Sequence, residues 1–287
     1  MRKLLVFFVM LLAALDPNAA SASFLNLSTR LNIPQPALGD DNTVVIGGFI
    51  IGGNVGRKLV IRALGPSLID FGLDPLPDPT LELHDSTGAI IATNDNWADT
   101  QEADILATGL APEDPLESAI LITIPPGSYT AIVRGNRGDF NVPSLASGTT
   151  LVEAYDISLT LGEGLANIST RGAVQRADNP MIAGFIIANS DEDTVLVRGL
   201  GPSLTEFGLA GLSDPRLDLF DAEGNLLASN DNWQDTQAAE IEAAGLAPSA
   251  PAEAAILITL PRGGYTAVLS PADGMSHGVA LAELYKL

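Results

Sequence analysis

The sequence predicts an all-β protein of two tandem antiparallel β-sandwich domains, jelly-roll-like, each carrying one short helix. Three observations point there. Short runs rich in Val, Ile, Leu, Thr and Tyr recur between Gly, Pro, Asp and Asn at a spacing of roughly ten residues. Within many of those runs polar and apolar residues alternate, the period of a half-buried strand. The chain also repeats itself at an offset of 136 residues, Gly48 to Tyr129 falling on Gly184 to Tyr265 without a gap.

In chain order, Arg2 and Lys3 precede the apolar run Leu4 to Ala14, and Ala20-Ser21-Ala22 supplies small residues at the positions a signal peptidase reads. Residues 1–22 are therefore expected to be a signal peptide cleaved after Ala22. The run is well short of the ~20 residues a membrane-spanning helix needs. The expected location is secreted, periplasmic or on the cell surface. Repeat one is placed at 24–160 and repeat two at 165–287, with Leu161-Gly-Glu-Gly164 between them.

Each copy opens on a Ser-Thr-Arg strand, 28–30 and 169–171, and ends near Glu153/Tyr155 or Glu283/Tyr285. Between them the first copy offers strands at 44–51, 58–63, 81–85, 89–93, 119–124, 129–134 and 151–157. Asp85-Ser-Thr-Gly88 and Asp221-Ala-Glu-Gly224 have the form of hairpin turns that end on a glycine of positive φ, and Pro125-Pro-Gly127 and Pro261-Arg-Gly263 make a second pair. Asp99 is expected to cap a helix over Thr100 to Ala107, with Glu102 closing a capping box and Gly109 ending it; Asp235 to Gly245 repeats the plan.

The 287 residues include 35 Asp or Glu, 14 Lys or Arg, 2 His and no Cys, for a net charge of -21. The missing cysteines exclude disulfides, thiolate nucleophiles and zinc–thiolate sites. So acidic a chain lacks the clustered cations that neutralise phosphate backbones or anionic headgroups, so nucleic acid is not an expected partner. Polar residues kept by both copies are few. No nucleophile–base pair is among them: His84 becomes Phe220, and Ser67 and Ser203, in Gly-Pro-Ser, have no imidazole to serve them and fit turn or cap roles.

The Asn-Asp-Asn-Trp string is dense in hard oxygen donors. Asp85, Asn94, Asp95 and Asp99, with Asp221, Asn230, Asp231 and Asp235 in the second copy, are the candidate ligands for a structural Ca²⁺, the single cofactor considered. The competing reading gives the same residues to Asx turns and helix caps. Trp97 and Trp233 offer a flat face to a sugar ring or apolar partner, or else plug the loop onto the sandwich. Arg62 and Arg198 could clamp a carboxylate ligand by paired hydrogen bonds, or pair internally with Asp78 or Glu117.

The stretch from Asp78 through Leu-Glu-Leu-His-Asp-Ser-Thr-Gly to Asn94-Asp95-Asn96, followed by Ile-Pro-Pro-Gly-Ser-Tyr-Thr-Ala-Ile-Val, resembles the bacterial pre-peptidase C-terminal domain family, and Asp214 to Val268 does so again. The Arg-Ala-Leu-Gly-Pro-Ser-Leu and Asn-Asp-Asn-Trp pieces are similar to a repeat of large secreted bacterial proteins. The resemblance implies a non-catalytic β-sandwich accessory module, in some members calcium-dependent, and maps the family's acidic and Asn positions onto Asp85, Asn94 and Asp95. Within these 287 residues no catalytic domain is expected beside the two copies, and a helix is expected between the Asn-Asp loop and the next strand.

The expected function is a secreted binding or adhesion module for an extracellular glycan or protein. The alternatives are a structural, self-assembling surface protein, for which a second copy is the partner, and a carboxylate-based glycan hydrolase or lyase, since acids are plentiful.

Overall fold

The computed structural model describes residues 24–34, 44–136, 147–158 and 164–287. The expected signal peptide and most of the linker at 161–164 lie outside them. The described chain is mostly antiparallel β, as the alternation predicts. Repeat one contributes β1 (Phe24–Ile33), β2 (Val45–Ile51), β3 (Arg57–Leu64), β4 (Pro79–His84), β5 (Ile90–Asn94), β6 (Ser118–Ile124), β7 (Gly127–Gly135) and β8 (Gly148–Asp156). Repeat two contributes β9 (Leu165–Val174), β10 (Met181–Leu200), β11 (Pro215–Asp221), β12 (Leu226–Asn230), β13 (Ala254–Pro271) and β14 (Gly278–Lys286). The long β10 and β13 each correspond to two strands of the first copy. Their mutual register slips between Ile187 and Glu192, so each serves two rows. The Ser-Thr-Arg strands prove to be ten residues long, not three.

The pairings resolve into two rows of eight strand segments. One row runs β6-β3-β8-β1, then the first half of β10, the second half of β13, β11 and β12. The other runs β5-β4-β7-β2-β9-β14, then the second half of β10 and the first half of β13. Each row therefore takes half its strands from each repeat. The joints match: Ser28 of β1 lies opposite Gly184, and its counterpart Ser169 of β9 lies opposite Gly48. The repeats are thus continuous through both rows, in a nearly closed sheet, and do not meet through a linker alone.

Inward side chains at every second position fill the space between the rows. Leu27 and Leu31 of β1, Leu59 and Ile61 of β3, and Leu81 and Leu83 of β4 belong to one buried cluster with Phe185, Val195, Leu217 and Leu269 of the second repeat. A single core for both copies follows from pairing their edges, since the joint strands β1 and β9 bury residues against either neighbour.

One short helix interrupts each copy, α1 (Glu102–Thr108) and α2 (Ala238–Ala243). α1 lays Ile105 on the outward residues Val60, Ala119 and Leu121; α2 lays Ile241 on Leu196 and Ala255. The N-terminal cap differs from the expected one. Asp99 and Asp235 end short 3₁₀ turns, Trp97–Asp99 and Trp233–Asp235, and the residues at the cap positions are Gln101 and Gln237, whose side chains make no cap bond. They are engaged elsewhere. Gly109 does end α1, in the left-handed conformation at φ 72°.

Candidate functional site

The residues retained in both copies converge on three arrangements, each built twice. The first surrounds Arg62, which projects from the outer side of β3. Its Nε donates to Glu153 Oε2 at 3.0 Å, Nη2 bonds the same oxygen, and Nη1 donates to the Leu110 carbonyl at 2.8 Å. The guanidinium carbon lies 5.1 Å from the centre of the Tyr155 ring, and the Tyr155 hydroxyl donates to Glu153 Oε1 at 2.7 Å. Arg198 repeats this with Glu283, Leu246 and Tyr285, its Nη1 to Leu246 O distance being 2.6 Å and its ring distance 5.0 Å. The internal partner is thus Glu153, neither Asp78 nor Glu117, because β8 runs beside β3 with Glu153 directly opposite Arg62.

Burial pushes the Tyr155 hydroxyl up to about 12, helped by the neighbouring Glu153 carboxylate, and pushes Tyr285 further in the same direction. Both tyrosines therefore stay protonated donors. For Arg198, burial, the largest single influence, would lower the pKa, but Glu283 and Tyr285 together outweigh it and raise it.

The second arrangement centres on Glu117, fully buried at the start of β6. Its Oε1 accepts from the backbone of Gly65 at 2.9 Å, the backbone of Ser67 at 3.0 Å and the Ser67 hydroxyl at 2.6 Å. Glu253 does the same for Gly201 and Ser203. The Gly-Pro-Ser-Leu string is therefore a turn strapped to a buried carboxylate, which explains the paired serines without nucleophilic chemistry. Gly65 is required there, since a Cβ would stand 2.1 Å from the Leu76 carbonyl oxygen.

The third arrangement is the Asn-Asp-Asn-Trp-x-Asp-Thr-Gln string itself, which lies along the outer edge of β6. Trp97 N–H donates to the Glu117 carbonyl at 2.8 Å. Asn94 Oδ1 accepts from Ala119 N–H at 2.9 Å. Gln101 both donates to and accepts from the Leu121 backbone, at 2.8 and 3.0 Å. Those bonds stand where a neighbouring strand's backbone would. Asn230, Trp233 and Gln237 plug the edge of β13 in the same way, on Ala255, Glu253 and Leu257. Unpaired sheet edges template association, and each of these two is closed by two side chains and one main-chain N–H.

The predicted ligands fall around that plug. Asp85 Oδ1 accepts from Thr87 N–H, the Thr87 hydroxyl and Ala89 N–H inside its hairpin turn, and the Thr87 hydroxyl bond first among them holds its pKa down. Asp221 is likewise lowered, chiefly by Asn225. Asn94 and Asn230 turn their carbonyl oxygens to β-edge N–H groups and donate to Asn96 and Asn232. Asp99 accepts from Asn96 at 3.2 Å; Asp235 is exposed.

Asp95 and Asp231 are exposed and each faces a second carboxylate. Burial raises the pKa of Asp78, with Asp95 adding to it; burial raises Asp214, with Asp231 and then Asp273 adding. Among the described residues no three Asp, Glu or His gather closely enough to hold one ion.

Trp97 and Trp233 send their indole N–H inward, to the carbonyls of Asp114 and Ala250, both at 3.2 Å. Trp233 is 5% exposed and packs with Leu196, Ile241 and Tyr285; Trp97 packs beside Ile105. Sequence reasoning missed Tyr155 and Tyr285 as working residues, for which the signal was the Glu-x-Tyr ending common to both copies.

No protein-family profile matches the chain, and no curated protein does. Among solved structures, one chain of a Clostridium perfringens ZmpB structure, described as an M60 catalytic domain with CBM51-1 and CBM51-2 domains, aligns at 6% identity and a TM-score of 0.21 over 80% of this chain. The alignment spans 32% of that Clostridium chain. A chain of Sulfolobus Turreted Icosahedral Virus aligns at 14% identity and a TM-score of 0.25, covering 93% of this chain and 87% of its own. VP2 of infectious bursal disease virus aligns at 9% and 0.17, covering 98% and 77%. No described helix is long and apolar enough to cross a membrane.

Proposed function

We propose that the protein is a secreted, non-catalytic binding or adhesion module whose partner is an extracellular glycan or protein. The observation that carries this is where the repeated polar residues are spent. Arg62, Glu153, Glu117, Asn94 and Gln101, with their second-copy counterparts, hold turns and close sheet edges, Arg62 bonding Glu153 and the others bonding main-chain groups within the protein. Duplication then multiplies a surface, which is what avidity rewards. Each repeat, a jelly-roll-like sandwich unit with one short helix, is proposed as one copy of the module. The resemblance of the Asp78 to Val133 and Asp214 to Val268 stretches to pre-peptidase C-terminal domains favours the same reading, as do the leader-like residues 1–22 for export.

Calcium is proposed at the Asp95 and Asp231 turns alone. Asn94 and Asn230 do not fit as ligands because their carbonyl oxygens already accept backbone N–H groups. Asp95 and Asp231 fit better, each beside a second carboxylate, and a buried oxygen of Asp78 has no hydrogen-bond partner in the protein.

Screening the mature chain on glycan and extracellular-protein arrays tests the binding reading. A saturable hit is expected at 0.15 M salt, where a Debye length of about 8 Å already screens diffuse charge attraction. Turnover of a polysaccharide substrate would overturn it. For the ion, melting with and without chelator decides: an unchanged midpoint removes calcium.

A further inference from the structure

We propose that β5 and β12 each accept an extended peptide as an added strand, a peptide of alternating apolar residues with a basic side chain at either end. The proposal names the partner chemistry of the binding module inferred above and rests on that reading. Of the four strands that end the two rows, β6 and the first half of β13 have their outer edges closed by the Asn, Trp and Gln bonds. The other two are left. β5 pairs only with β4, and β12 only with β11, among the described strands.

The side chains on those two edges are apolar where a surface strand usually carries charge. Ile90 is 55% exposed and Leu226, at the equivalent position, 54%; Ile91 and Leu227 follow at 37% and 40%. A strand of five residues spans about 17 Å, enough for main-chain bonding to one peptide of similar length. An exposed apolar edge is a liability that sheets ordinarily blunt with Lys, Pro or a bulge, and here the same chain spends two side chains and a main-chain N–H closing each of the other two edges.

Charge selects the occupant. Asp85 sits at the start of β5 and Asp95 directly after its end; Asp221 and Asp231 bracket β12 in the same way. The turn donors on Asp85 and Asp221 keep both ionised. A second copy of this chain, at a net charge of -21 and with the same acids bracketing its own edges, meets like charge at both ends of either pairing. An extended peptide with Lys or Arg about six residues apart meets opposite charge at both. Because the edges lie at the far ends of the two rows, one molecule presents two such sites.

The test is fluorescence anisotropy with a labelled Lys-Thr-Val-Thr-Val-Thr-Lys peptide and the whole chain from residue 23 on, in the presence of chelator so that no cation competes with the peptide for Asp95 and Asp231. Expected are two sites per chain, an affinity falling about tenfold or more between 50 and 500 mM salt as exposed pairs are screened, and no binding by the same peptide N-methylated at alternate backbone nitrogens. Leu227→Lys should reduce the stoichiometry to one, and Ile91→Lys with Leu227→Lys should abolish binding while the melting temperature holds. Asp95→Asn with Asp231→Asn should weaken binding and flatten its salt dependence.

Equal binding by the N-methylated or Glu-ended peptide overturns the proposal, as does undiminished binding by the double Lys variant. So does concentration-dependent oligomerisation that the double Lys variant removes, which would assign the edges to a second copy. An array hit retained by the double Lys variant would overturn the edge proposal and leave the binding function standing.

Discussion

Thr29 of β1 and Thr170 of β9 meet hydroxyl to hydroxyl at 2.7 Å, both 1% exposed, although 141 residues separate them. They are the same residue of the two repeats. A residue touches its own counterpart only on a two-fold axis, and the pairings around it obey one: Leu27 opposite Phe185, Ile168 opposite Phe49. A cavity of about 20 Å³ adjoins the pair, on the side of the first repeat, where Ala154 stands in place of Leu284.

Removing one hydroxyl of that pair strands the other in an apolar core. Thr170→Val is expected to cost about 1–3 kcal/mol, the penalty for a buried unsatisfied group, whereas Thr29→Val with Thr170→Val should cost less than the sum of the singles. Urea denaturation of the four chains of that cycle measures the difference.

Arg62 and Arg198 answer to the same logic with charge added. Arg62→Met leaves Glu153 buried without its cation, at about 3–5 kcal/mol, and Arg198→Met does so to Glu283. Tyr155→Phe removes a single donor and should cost about 1 kcal/mol. Denaturation midpoints check the order; an Arg62→Met chain as stable as the parent would mean that Glu153 finds water.

Gln101 holds the edge of β6 with two hydrogen bonds. Gln101→Ala should lose about 1–3 kcal/mol and expose the Leu121 backbone to association, so the variant is expected to elute earlier, with concentration dependence, in size exclusion. Gln237→Ala should behave alike.

Three carboxyl groups respond to pH, Asp78 and Asp214 in one direction and Asp273 in the other. Burial raises Asp78 and Asp214 above the ordinary carboxylate value, so each favours the folded state at pH below that value and loses this contribution as pH rises through its own folded pKa. Asp78→Asn should therefore raise the melting temperature at pH 7 and leave it nearly unchanged at pH 3. Asp273, held at about 2 by Ser276, contributes stability above its unfolded pKa that is lost as pH falls through the folded one. Asp273→Asn should lower the melting temperature at pH 7 and lose that effect near pH 2.

Much of this was legible in the sequence because it is local. Strand period, the Asp85 to Gly88 turn with Gly88 at φ 82°, and the Gly109 helix stop each depend on a few neighbouring residues. The Asp99 cap failed for a non-local reason: Trp97 N–H and Gln101 are drawn to β6, about twenty residues on, and the helix starts later. Arg62 has 35 acids to choose from, and only the β3–β8 register selects Glu153. The joining of the repeats through β1 and β9 was invisible because a duplicated pattern reads the same whether its copies stand apart or share their sheets.

Differential scanning calorimetry of the chain tests that joining most directly. Two repeats sharing both rows and one core should melt in a single transition, with calorimetric and van't Hoff enthalpies equal, and Thr170→Val should move the whole transition down. Two resolved transitions, of which Thr170→Val moved only one, would contradict it.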